Sequence, residues 1–208
     1  MGVTQAPMAL GEHPAPGDCV LVLSPSLASE TEATCIDLLT PVDPDRVLAL
    51  WVTLLDPTSE RIAQWEAHCH ETPMEAAVID VGAGIDRIPG PTVPTLHDEP
   101  VSITEVTSPQ NLTRLGVEIV DQLGRWRHYN DSQIVLCFHS LSTLLQYVGV
   151  QDTFKFLHAL NAQLTRAGAI AHFHMDPSVH DSRTISTVLP LFRSVAEFDD
   201  GAWTFKSR

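Results

Sequence analysis

Unbroken apolar runs and one-faced apolar stripes take turns along this chain. The first run, residues 19–23, contains no polar break, which is what a strand buried on both faces requires. A short loop at 24–29 follows, and then a segment to about Leu39 that reads as helix. Residues 46–54 form a second apolar strand. Asp56-Pro57 opens a helix through about His70, with Ile62 and Trp65 facing inward. A third strand is expected over 75–82. Residues 82–100 are rich in proline and glycine and read as a long loop. Residues 101–106 alternate as a strand. Over 108–129 a capping serine (Ser108), proline at the first helical position and apolar residues at Leu112, Leu115, Ile119 and Leu123 predict a helix. Residues 133–140 are again continuously apolar. Helices are expected over 141–148 and 152–167, the second carrying Phe156, Leu157, Leu160 and Leu164 and ended by Gly168. A strand over 169–175, a helix over 180–194 and a hairpin over 195–205 turning at Asp200-Gly201 complete the pattern.

Strands alternating with helices predict an α/β fold: a mostly parallel sheet with helices on both faces and a C-terminal antiparallel hairpin. The 208 residues suit one domain, placed at 18–208 behind a flexible lead-in at 1–17.

Charge narrows the partners. The net charge is −14, with 26 acidic residues against 12 basic ones, and the lysines are Lys155 and Lys206 alone. Such a chain is a poor ligand for a phosphate backbone, so nucleic acid is not an expected partner. Scarce lysine with abundant carboxylate is the surface expected of a protein kept in concentrated salt, where repulsion is screened over about 3 Å at 1 M. A halophilic source is the expectation. No apolar run reaches a membrane span, and the first residues lack the basic start and apolar centre of a secretory signal. A cytoplasmic protein with no membrane partner is expected. Cys19, Cys35, Cys69 and Cys137 show no C-x-x-C pairing and read as reduced and structural.

The loop after the first strand has the outline of a phosphate-binding turn without its chemistry. Such a loop needs glycines to let backbone N–H groups wrap phosphates, a lysine for their charge and a hydroxyl for magnesium. Ser24–Ser29 holds neither glycine nor lysine, and Glu30 and Glu32 stand where an anion would arrive. Together with QIVLCFHSLSTLLQYVG (133–149) and the helix–strand–helix section at 153–198, this segment resembles the RecA/KaiC-like ATPase superfamily. It is most similar to a catalytically degenerate KaiC-like branch of halophilic archaea. The resemblance implies a former nucleotide site at Ser24, Ser26, Ser29, Thr31, His139 and Ser140. In that superfamily a P-loop lysine and an aspartate at the end of the 135–138 run serve phosphate and magnesium; here no lysine is nearby and the aspartate's position is His139. The resemblance therefore implies no hydrolysis, no cofactor, and a regulatory or scaffolding protein that works through protein contacts and self-association. The alternative is a nucleotide- or metal-binding sensor or enzyme using the same cleft.

A second concentration of polar groups lies at His172, His174, Asp176, His180 and Asp181. His172 and His174 fall on one face of a strand, and Asp176 continues that spacing. In a RecA-type strand order this strand lies between the first strand and the 133–140 strand, so His139 is a further candidate. His139, His172, His174 and Asp176 then read either as an imidazole/carboxylate metal site or as a structural polar network with Asp176 and Asp181 acting as turn and cap residues. Ser140 and Ser142 beside His139 lack the G-x-S-x-G elbow of a nucleophile. The basic–aromatic cluster at 125–129 reads as a helix end, where cations suit the dipole. Trp51 and Trp65 are expected in the core and Trp203 on the hairpin surface.

Overall fold

A computed structural model describes residues 14–25, 30–82 and 94–207. Its centre is an eight-stranded sheet built from β1 (Cys19–Leu23), β2 (Val47–Leu54), β3 (Glu75–Val81), β6 (Ser102–Val106), β7 (Gln133–His139), β8 (Ile170–Met175), β9 (Ser194–Asp199) and β10 (Ala202–Ser207). Two further short strands, β4 (Thr95–Leu96) and β5 (Glu99–Pro100), form a separate antiparallel pair within the expected long loop. The rest of that loop, 83–93, lies outside the described residues. So does the lead-in up to residue 13.

The sheet order is β10-β9-β1-β8-β7-β2-β3-β6. Every pairing is parallel except β9 with β10. The fold is thus the expected α/β arrangement, with one refinement. The first arm of the terminal hairpin joins the sheet in parallel beside β1, and only the outer arm is antiparallel. Its turn falls at Asp200-Gly201, both with positive φ (48° and 79°), the geometry that lets a two-residue loop follow the strands' twist.

Alternation along the central strands sends side chains to two different layers. On one side Leu21, Leu50, Phe138 and Phe173 meet α3 (Leu112–Arg125), α4 (Leu141–Val148), α5 (Val150–Ala167) and α6 (Ser182–Val188). On the other side Ala49, Trp51, Val135, Cys137 and Ile170 meet α1 (Glu30–Leu39) and α2 (Thr58–His68). Cys35, Ile36 and Leu39 form the buried stripe of α1, and Ile62 and Trp65 that of α2. Trp51 and Trp65 meet edge to face, with centroids 5.6 Å apart.

Two helix boundaries differ from expectation for identifiable reasons. The third helix starts at Leu112 because the Asn111 side chain accepts the Arg114 N–H and caps it there; the Ser108 hydroxyl accepts the Gln110 N–H in the preceding turn, and the Ser108 carbonyl accepts that of Asn111. The helix expected over 180–194 is α-helical only to Val188 and ends in a single tight turn containing Pro190. Where β3 leaves the sheet, Gly82 has φ +87°, and a Cβ there would lie 2.5 Å from the Leu55 side chain. Gly82 therefore lets the ends of β2 and β3 approach each other.

Candidate metal centre and the carboxyl edge of the sheet

β8 lies between β1 and β7, so the carboxyl edge at the middle of the sheet is built by β1, β8, β7 and β2. His172 and His174 share the face toward α1, while Ala171, Phe173 and Met175 point into the opposite layer. Parallel register sets His172 beside Cys137 on β7 and beside Val20 on β1. The buried stripe of α1 then lowers Cys35 onto this pair.

The outcome is a buried group of two thiols and two imidazoles. The ligand-type atoms of Cys35, Cys137, His172 and His174 all lie within 4.8 Å of one another, and all four residues are buried. Cys35 Sγ is 3.5 Å from Cys137 Sγ and 3.2 Å from His172 Nε2. The His172 and His174 rings meet edge to face at 5.1 Å. His172 Nδ1 and both ring nitrogens of His174 have no hydrogen-bond partner within bonding geometry, although Cys35 is close enough to His174 to act on it electrostatically. Each buried polar atom left this way costs about 1–3 kcal/mol. Burial pushes the His174 imidazole down to about 4, so the ring is neutral at ordinary pH. The hydrogen bond from Cys137 holds the Cys35 thiol well below its usual range against the opposing effect of burial. Burial, and then that same bond, push Cys137 up.

Beside this interior group, the edge residues are engaged differently. His139, at the end of β7, pairs through Nδ1 with Asp56 Oδ2 at 2.9 Å, both groups partly exposed. Its ring lies 5.2 Å from that of His174. Ser140 caps α4 by accepting the Thr143 N–H and bonds the Thr143 hydroxyl. Ser142 accepts the Asp176 N–H and sits 2.9 Å from His180 Nε2. Burial lowers the His180 pKa. Asp176 in turn accepts from the Ser178 N–H and hydroxyl, and Asp181 caps α6 at Thr184.

Of the residues proposed from sequence for a metal, His172 and His174 fall within the buried group. His139 and Asp176 fall outside it, because His139 is committed to Asp56 and Asp176 turns away into the loop after β8. Cys35 and Cys137, read as plain core residues, take their places. Of the former-nucleotide set, Ser24 is buried at the end of β1, where its N–H bonds the Met175 carbonyl. His139 and Ser140 are as described. Ser26 and Ser29 lie outside the described residues, as does the Thr31 side chain. In the basic–aromatic cluster Trp126 is buried, and Tyr129 donates to Glu75.

A solved protein from Pyrococcus horikoshii OT3, described as the subject of a structural study, has a similar fold. The TM-score is 0.61 at 14% identity, over 94% of this chain and 88% of that one. No curated protein matches the sequence. The pattern of a family of unknown function, DUF7504, matches residues 17–198, and the chain therefore belongs to that family.

Proposed function

We propose that this chain is a non-hydrolytic α/β module that acts as a regulator or scaffold through protein contacts, including contacts with its own copies. The observation that carries the reading is the His139–Asp56 pair. At the strand end where a RecA/KaiC-like site would place a magnesium carboxylate, an imidazole stands in its stead, hydrogen-bonded to a neighbouring strand end. The surrounding hydroxyls are spent on caps and turns. Neither lysine serves the edge: Lys155 pairs with Asp152 and Lys206 with Glu197. Phosphoryl transfer relies on positioned cations around the transferred group.

The surface supporting self-association lies between α3 and α5. Val117 and Val120 are exposed there beside a groove of about 370 Å³, lined also by Leu112, Gly116 and Phe156. Asp121 is the one charged residue in its described lining. In a molecule of net charge −14, this is a face on which two like-charged copies meet little local repulsion. A second copy is the proposed occupant. Among the described residues no helix is long and apolar enough to cross a membrane. The four free cysteines support a reducing, cytoplasmic setting.

Light scattering across a potassium chloride series tests the reading. Self-association should strengthen with salt and disappear in Val117→Asp/Val120→Asp. A monomer at every salt concentration, or ATP hydrolysis by the purified chain, would defeat it. A metal-holding role is favoured by one specific observation, the interior thiol–imidazole group.

A further inference from the structure

We propose that Cys35, Cys137, His172 and His174 form a closed, four-coordinate site for a zinc-type divalent cation that fastens α1 to the central strands. The inference is independent of the non-hydrolytic reading, since none of these four side chains belongs to the His139–Asp56 edge.

Donor chemistry selects the class of ion. Two sulfurs and two imidazole nitrogens suit a tetrahedral, borderline-soft cation, whereas magnesium and calcium require oxygen ligands, and this group contains none. The spacing is nearly that of a filled site. Metal–sulfur bonds of about 2.3 Å and metal–nitrogen bonds of about 2.0 Å place tetrahedral ligand atoms roughly 3.3–3.8 Å apart. The sulfur–sulfur separation of 3.5 Å and the sulfur–nitrogen separation of 3.2 Å lie at that scale, and every other separation is below 4.8 Å.

Charge gives a further reason. A doubly charged ion with two thiolates and two neutral imidazoles is net neutral, which permits it in a buried position where a lone charge is excluded. The same ion would engage one nitrogen of each imidazole, including a ring at His174 that otherwise makes no hydrogen bond. Four protein donors leave no open position for water or substrate, so the centre is structural or regulatory rather than catalytic.

Three ligands come from adjacent strands and one from a helix. Cys137 and His172 face each other in the β7–β8 ladder, and His174 is held beside Val22 in the β1–β8 ladder. Cys35 depends on the packing of α1 and closes the site from above. The His139 ring, partly exposed and next to His174, marks the side from which an ion would enter.

The test uses the full chain purified under reductant without chelator. Elemental analysis should find about one zinc per chain. Cobalt(II) titrated into stripped protein should produce thiolate charge-transfer absorption and the strong visible bands of tetrahedral coordination. Cys137→Ser and His174→Asn should each lose more than about 100-fold in affinity, the upper end of what even outer partners of a ligand cost. His139→Ala and Asp176→Ala should retain the ion. Hydrogen exchange in α1 should quicken when the metal is removed from wild-type protein, a measurement that needs no variant to fold. Absence of the cobalt charge-transfer band in reduced wild-type protein would overturn the proposal. So would equal loss in His139→Ala and His174→Asn, or a Cys35–Cys137 disulfide as the stable form under reductant.

Discussion

Two pairs of histidines meet opposite fates in this fold. At the exposed edge, His139 has Asp56 and His180 has Ser142. One layer inward, His172 keeps one nitrogen unpartnered and His174 keeps both. Each edge histidine has one nitrogen bonded within the chain and stands partly exposed to solvent, and those bonds read as scaffolding. The interior ones are incomplete, in a place where incompleteness is expensive. A polar group that a fold buries without a partner points to something the polypeptide does not itself supply.

The contrast is broken most directly by stripping metal. With free zinc at about 100 times Kd, binding adds about 3 kcal/mol to stability, and chelation should lower Tm by roughly 5–10 °C for a chain of this size. Calorimetry of chelated Asp56→Asn and wild-type protein should show the same drop, because the edge pair takes no part. Next in size is Ser142→Ala. It removes the acceptor of the Asp176 N–H and the partner of His180, and urea unfolding should report a loss of about 1–3 kcal/mol with metal content unchanged. Smaller still is Asp56→Asn itself. This partly exposed pair should change stability by less than about 1 kcal/mol in the same denaturation series.

The smallest effect concerns His180, whose folded pKa is depressed by burial. The unfolded chain takes up this proton first, at its ordinary value of about 6.5. The stabilisation is therefore complete above that pH and declines as pH falls toward the folded pKa. An NMR titration of the His180 ring should give a midpoint below 6.5. A midpoint above that value would mean that Asp176 and Asp181 outweigh burial.

Much of the fold could be read from the sequence because it rests on local patterning. The apolar runs at β1, β2 and β7 fill strands buried on both sides, and the Asp200-Gly201 turn declares its hairpin. Where a single side chain decides, as Asn111 does for the start of α3, periodicity cannot choose among nearby caps. The interior site was half legible. His172 and His174 declare a shared face by alternation alone. Cys35 and Cys137 are 102 residues apart and sit in apolar stretches where a thiol passes for a small core residue. Their meeting depends on β8 lying next to β7 and on α1 covering that seam, facts of tertiary order. A usable signal existed in the strand order combined with the inward stripe of Cys35, Ile36 and Leu39.

The position of β1 has a consequence for the making of the protein. Both of its neighbours in the sheet, β8 and β9, come from the last forty or so residues. During synthesis β1 must wait until β8 and β9 have been made before it can be hydrogen-bonded on either edge. Contacts so distant in sequence are slow to form. The thiol of Cys35, on the helix that follows that strand, can meet His172 and His174 only after β8 has been made.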